Sequence, residues 1–390
     1  MGKKFITFGE PCLAKKEIDI LNKTFKSRWL GTGPLVKKFE KNFSSYKKVK
    51  FSLAVNSCTS ALLLSLKLIG IKTGDEVITT PLTFCSTINS IIHSGAKPVL
   101  VDIDEKTLNI DHQLIEKKIN KKTKAIIPVH FAGLPCNMDK LKKISSKYNI
   151  HLIEDCAHAI ESKFKNKHVG SFGTTGCFSF YVNKNITTGE GGMLVTNNKK
   201  ISKYCETYRF SGMTKDAWKR YKPSSKINNK THLYDVIQAG YKFNMTDLQA
   251  GIGIEQLKKI DDFWHKRKNI FLTYKKNLIN LPIKFQEFNE NIVKHAYHLF
   301  VFHIDKNKTN RTREQLIKHL IKNKIGFGIH YTSMTEMKFY KKTFKWKENT
   351  APIAHKIGKN IISLPLYPHL KTKDYRFISQ KIIDFFKDRK

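Results

Sequence analysis

Between residues 51 and 197 the chain alternates short β-rich apolar runs with segments of helical character. The runs cover residues 51–55, 76–80, 98–103, 125–129, 151–153 and 177–181, and helical segments such as 60–69 and 138–148 separate most of them. Strands alternating with helices predict a mostly parallel sheet flanked by helices, because each parallel crossover needs a long connection that then covers a face. Ligands of such sheets bind beyond the carboxyl ends of the strands. Chemistry is therefore expected just after each run. Residues 198–243 read as a helix and then a polar, irregular loop, and 246–278 as one long helical stretch with few breakers. A smaller α/β pattern follows, with a strand at 298–304 and helices at 313–323, 352–359 and 373–386. The expectation is an α/β protein with a large domain over 1–256 and a small C-terminal α/β domain over 257–390.

Charge changes the picture only briefly. Lys and Arg number 71 against 32 Asp and Glu, a formal charge of +39. Such density suits a binder of nucleic acid or of a membrane surface. It equally suits exposed positions filled with lysine, and the distribution favours the latter. The lysines come in scattered pairs, Lys15-Lys16, Lys117-Lys118, Lys142-Lys143, Lys199-Lys200 and Lys341-Lys342, with no basic tail and no RNA-binding signature. Specific nucleic-acid binding is not expected. The seven cysteines include no Cys-x-x-Cys pair, so neither a zinc site nor a disulfide framework is indicated and a reducing cytoplasm fits. No metal site is expected. No apolar run reaches membrane-spanning length, and no apolar stretch follows the basic start, so neither membrane insertion nor a signal peptide is expected.

Three segments after the strands carry chemistry. The first is Glu154-Asp155-Cys156-Ala157-His158. A carboxylate at a strand's carboxyl end suits a cofactor, and it equally suits a cap on a following helix. The second is Asn183-Lys184, followed by a turn rich in glycine at Gly189, Gly191 and Gly192. A lysine with a lowered pKa forms Schiff bases, while the glycines also make a plain tight turn and lack the Walker spacing of a nucleotide loop. The third is Asn56-Ser57-Cys58-Thr59-Ser60, before an apolar helix. Its free amides and hydroxyls make an anion site or an ordinary helix cap. Ser179 offers a further hydroxyl. A phosphate cradle, a carboxylate and an amine near one sheet edge are what a pyridoxal 5′-phosphate (PLP) site needs.

Together these segments resemble the DegT/StrS family of PLP-dependent sugar aminotransferases, nearly end to end. The matching stretches include Trp29-Leu30-Gly31-Thr32-Gly33-Pro34, Val55 to Leu62, Lys122 to His130, Ile153 to Ala159 and Phe178-Ser179-Phe180. Lys184 to Gly192, Gly240 to Asp247 and Ile362 to Pro368 complete the series. The resemblance implies the fold-type-I architecture, a homodimer with shared active sites, and these roles. Lys184 carries PLP as a Schiff base. Asp155 pairs with the pyridine nitrogen, Phe84 stacks on the ring, and His158 lies near its phenolic oxygen. Cys58, Thr59 and Ser179 hold the phosphate, and Lys242 or Asn244 reaches it from a neighbouring subunit. Cys58 stands where many relatives have glycine, but its amide still serves. Trp29, Gly31, Thr32 and His330 are expected at the sugar, although His330 also suits a packed structural role.

The implied reaction takes an amino group from an amino acid, glutamate by expectation, and passes it to a nucleotide-linked ketosugar. Within the family, Gly212 to Tyr221 looks like the version in enzymes acting on UDP-linked 4-ketosugars, with Lys219 and Arg220 at the diphosphate. An exposed lysine-rich loop is the equal alternative. One rival is a sugar dehydratase of the same fold, whose relatives replace the Schiff-base lysine. The other is a non-catalytic nucleic-acid-binding or regulatory protein, motivated by the charge.

Overall fold

The computed structural model describes residues 5–214 and 234–387. In chain order the first strands are β1 (Phe51–Val55), β2 (Glu76–Thr79), β3 (Lys97–Leu100), β4 (Thr123–Ile127) and β5 (His151–Asp155). A short hairpin of β6 (Lys163–Phe164) and β7 (Lys167–His168) precedes β8 (Thr175–Ser179) and β9 (Gly192–Thr196). Seven of these form one sheet in the order β1-β9-β8-β5-β4-β2-β3. Pairings among β3, β2, β4, β5 and β8 are parallel, and β9 runs antiparallel to both β8 and β1.

Neighbouring residues in the strands bury on opposite faces, as the apolar runs require. Val77, Ile127, Ile153 and Cys177 pack with the helix Cys58–Leu68. Ile78, Ile126 and Leu152 pack with the helix Met138–Tyr148, whose Met138, Leu141 and Ile144 face them. Toward the other edge, Phe178 and Val195 meet Phe39 and Phe43 of the helix Pro34–Lys47 and Ile254 of the helix Asp247–Leu257. The C-terminal elements build a separate three-stranded antiparallel sheet from β10 (Ile283–Phe285), β12 (Phe300–Ile304) and β13 (Ile361–Leu364). Helices Ile260–Leu278, Arg313–Lys322 and Thr372–Lys387 bury Tyr274, Leu320 and Ile382 against it. Strand β11 (Val293–Lys294) pairs with β6.

The mixed sheet agrees with the expected fold class. One element differs. The stretch at 246–278 is two helices, Asp247–Leu257 and Ile260–Leu278. Neither glycine nor proline marks the break. Tertiary contacts make it: Gln256 and Lys259 both turn onto the buried carboxylate of Glu17, and the Lys259 amide bonds the Gln256 carbonyl at 3.0 Å. The helix Asp247–Leu257 starts with a capping box, in which Thr246 and Gln249 satisfy each other's backbone amides.

Candidate active site

A cavity of 760 Å³ opens at the carboxyl ends of β1, β2, β5 and β8, where the topology predicts a ligand site. Cys58, Thr59, Phe84, Asp155, His158, Ser179, Lys184 and His330 all line it. Eight expected site residues, scattered between Cys58 and His330, thus meet in one place.

The cradle forms first. Ser57 caps the helix Cys58–Leu68 by accepting from the Ser60 amide at 3.1 Å, which leaves the amides of Cys58 and Thr59 at the open end. A side chain at Gly192 would collide with the backbone of Ser57 and Cys58 at 2.4–2.6 Å. Glycine at the start of β9 therefore brings this turn against the sheet. The Thr59 hydroxyl is aligned by a bond to Ser86 at 2.9 Å, and Ser179 stands across the cradle at the end of β8.

Asp155 is the last residue of β5 and is buried. The next named element is β6, so the carboxylate does not cap a helix. Its Oδ1 accepts from the Ala157 amide at 3.1 Å and its Oδ2 from Thr87 at 2.8 Å. Burial nevertheless pushes its pKa up, against the pull of those donors and of Lys184. The adjacent Glu154 points the other way, where the amides of Gly170, Phe172 and Gly173 spend it on a loop. Lys184 follows β8, with its amide bonded to the Tyr181 carbonyl at 2.9 Å. Burial lowers its pKa to about 8, with Cys58 and Asp155 drawing it back up. The glycines beyond it make the expected turn, with Gly189 at φ 80°.

His158 is held from both sides. Its Nδ1 accepts from the Ala132 amide at 3.3 Å, and its Nε2 lies 3.1 Å from the Tyr331 hydroxyl. Burial and the nearby Lys184 keep its pKa well below the usual value. A neutral ring that accepts at Nδ1 carries its proton at Nε2, so His158 donates to Tyr331. His330 stacks on Phe8 with ring centroids 5.3 Å apart and bonds Ser363 at 3.0 Å, and burial lowers its pKa to about 4.

The other expected residues lie elsewhere. Lys242 is exposed, with its ammonium 4.2 Å from the centre of the Phe210 ring. Asn244 donates to Thr32 at 2.6 Å, and Thr32 donates to the Met245 carbonyl at 2.6 Å. Trp29 bonds the Thr32 carbonyl at 3.2 Å, and the Gly31 carbonyl receives the Asp247 amide at 2.9 Å. None of these lines the cavity of its own chain. Lys219 and Arg220 lie outside the described residues.

Sequence reasoning missed Thr87, Tyr331, Met334 and Met337, all of which line the cavity. Thr87 and Tyr331 carried a faint signal, since each sits within a few residues of a named candidate. The methionines had none, because an apolar wall is indistinguishable in sequence from a core.

The matched family model, the DegT/DnrJ/EryC1/StrS aminotransferase family, spans residues 11–383. The chain is 40% identical over 384 residues to the spore coat polysaccharide biosynthesis protein SpsC of Bacillus subtilis, covering 98% of this chain and 97% of that one. Among solved structures, the PLP-form of Spr1654 of Streptococcus pneumoniae superposes with a TM-score of 0.89 at 28% identity, over 98% of this chain and 99% of that one. PseC of Helicobacter pylori, an aminotransferase involved in the biosynthesis of pseudoaminic acid, gives 0.87 at 30% identity, over 98% and 100%. The chain belongs to the DegT/DnrJ/EryC1/StrS aminotransferase family and is a PLP-dependent sugar aminotransferase.

Proposed function

We propose that the enzyme moves an amino group from glutamate to a nucleotide-linked ketosugar, with Lys184 carrying PLP as a Schiff base. The observation behind this reading is that Lys184, Asp155 and the open end of the helix Cys58–Leu68 face one cavity. These residues fit the cofactor: free amides for a phosphate, a buried carboxylate for a pyridinium, and an amine of lowered pKa for an aldehyde.

When bound, PLP supplies the electron sink that stabilises the charge left by loss of a proton from the donor's α-carbon. Cys58, Thr59 and Ser179 bind the phosphate. Asp155, strained by its own burial, gains most from a cationic partner and so holds the pyridine nitrogen protonated. Phe84 covers the ring. His158, neutral and anchored on Ala132 and Tyr331, orients it beside the phenolic oxygen. The Nζ of Lys184 would take the proton from the donor's α-carbon and return it to the cofactor's C4′, two atoms along. Its pKa of about 8 leaves an appreciable fraction as free base near neutrality.

The relatives SpsC and PseC, from polysaccharide and pseudoaminic acid biosynthesis, support a sugar acceptor built for a glycan. Lys219 and Arg220 belong to the proposal as contacts to the diphosphate of a UDP-linked 4-ketosugar. A homodimer is supported by the cavity rim, where Phe84 and Tyr181 are 57% and 45% exposed in a single chain. Lys242 or Asn244 would then meet the phosphate held by the other subunit, and Trp29, Gly31 and Thr32 its sugar. A second, C-terminal domain is supported by the separate core around Phe300 and Ile362, although Leu257, Ile260 and Phe263, beyond the proposed division at 256/257, still pack in the first core. Seven free thiols support a cytoplasmic setting.

The test is a glutamate-dependent assay of the purified, PLP-loaded enzyme against nucleotide ketosugars that differ in base and in carbonyl position, with product identification. Formation of 2-oxoglutarate and an aminosugar nucleotide is expected. Equal or better turnover of a free, unlinked ketosugar would overturn the nucleotide assignment, and transfer from other amino acids but not glutamate would overturn the donor.

A further inference from the structure

Asn185 follows Lys184 directly and is only 8% exposed, yet its side chain makes three bonds. Its Nδ2 donates to Glu161 Oε2 at 2.6 Å and to the Ala296 carbonyl at 3.2 Å. Both partners are acceptors, so the amide's orientation is settled and its oxygen faces His298 Nδ1 at 2.8 Å. His298 Nδ1 must therefore carry a proton and donate it. Glu161 is in turn paired through Oε1 with Arg267 of the helix Ile260–Leu278, and both are buried.

The other end of this chain reaches His158. The His298 ring lies 4.5 Å from the His158 ring, tilted by 38°. One peptide unit anchors both: the Ala132 amide donates to His158, and the Ala132 carbonyl accepts from the His298 amide at 3.3 Å. The loop bearing Lys184 is thus tied through one amide side chain to a C-terminal helix and to the imidazole pair beside the cavity.

We propose that Asn185 is a positioning residue, a clamp that fixes Lys184 relative to His158 and to the C-terminal helix through the Arg267–Glu161 pair and His298. A three-way amide suits this work, because losing any one bond leaves a buried polar group unpaired and frees the loop. The inference rests on the assignment of Lys184 as the Schiff-base lysine.

The experiment compares full-length, PLP-reconstituted wild type, Asn185→Asp, and Asn185→Asp with Glu161→Gln. The single variant sets a carboxylate against Glu161. The double variant restores a donor facing an acceptor at the same net charge as wild type. Visible absorbance against pH, kcat and KM for the glutamate half-reaction, and Tm are measured. Asn185→Asp is expected to shift the midpoint of the absorbance titration by about one pH unit or more. It should lower kcat by about tenfold or more with KM changed less than about threefold. The double variant should recover most of both effects. A folded single variant with an unmoved titration overturns the clamp, as does a lowered Tm without a titration shift, or a double variant as impaired as the single. If Asn185→Asp does not fold, His298→Phe keeps a ring against His158 but removes the donor to Asn185, and an unmoved titration there overturns the clamp too. Lys184→Ala separates the two assignments: PLP that borohydride still fixes covalently to the protein in that variant means the Lys184 reading has failed, not the clamp alone.

Discussion

Thr87 donates its hydroxyl proton to Asp155 at 2.8 Å, and Thr83, 2.8 Å behind it, must therefore donate to Thr87. A line of two hydroxyls from the segment after β2 thus aims the carboxylate at the end of β5. Only the carboxylate has the charge to hold a pyridine nitrogen protonated, so Asp155→Asn is expected to bind PLP but lose about a hundredfold or more in kcat. Thr87→Val keeps the charge and loses only the alignment, and about a three- to tenfold loss is expected. Steady-state kinetics on both variants checks the order. If Asp155→Asn retains wild-type turnover, the carboxylate is only a turn former for Ala157.

Lys184→Ala should abolish transamination while the fold survives. The lysine's titration supplies a sharper check. Only the neutral amine condenses with an aldehyde, and burial sets the pKa of the free lysine at about 8. The rate at which apoenzyme captures PLP should therefore rise about tenfold per pH unit below pH 8 and then level off. Stability follows with a definite sign. The folded pKa lies below the unfolded one, so between about 8 and 10.5 the unfolded chain binds more protons and stability rises with pH. Lys184→Ala removes that dependence, and its apo form should be more stable than wild type at pH 7, by at most about 3 kcal/mol. Urea denaturation of both apo proteins at pH 7 and pH 10 measures it, and parallel curves would refute the depressed pKa.

Tyr331→Phe removes the oxygen that receives the Nε2 proton of buried His158. An orphaned buried donor costs about 1–3 kcal/mol, so Tm should fall. His158 should also lose its orientation, lowering kcat more than it raises KM. Thermal unfolding and kinetics of the holoenzyme test both, and an unchanged Tm would mean that His158 has another acceptor.

What could be seen in the sequence was what local chemistry decides. Alternating apolar runs are visible because both faces of the large sheet are buried, and Cys58, Asp155 and Lys184 stand out because each lies at or just beyond the end of a strand. Contacts between distant segments were invisible. The break at Lys258 and Lys259 comes from Glu17, some 240 positions earlier, and nothing near the break announces it. The bond from Thr87 to Asp155 and the anchoring of His158 on Ala132 depend likewise on how elements dock. Trp29 to Thr32 were tied to the sugar by resemblance, and within one chain they are held by Asn244, Met245 and Asp247 instead.

That last arrangement motivates a test of shared sites. Lys242 and Asn244 lie outside the cavity of their own chain, and a symmetric dimer repeats any contact across its axis at both sites. Suppose these residues serve the neighbour's phosphate. Lys184→Ala and the double variant Lys242→Ala with Asn244→Ala are then both inactive, for reasons that belong to different subunits. The double variant should still fold, because Thr32 keeps its bond to the Met245 carbonyl. Mixed under conditions that exchange subunits, the heterodimer has one site with both defects and one with neither. Activity should rise from near zero toward about a quarter of wild type, since random exchange makes half the dimers mixed and each mixed dimer has one sound site of two. Size-exclusion chromatography with differently tagged subunits verifies the exchange. If exchange is complete and no activity returns, the phosphate ligands all come from one chain, and Lys242 and Asn244 hold the Thr32 segment rather than the cofactor.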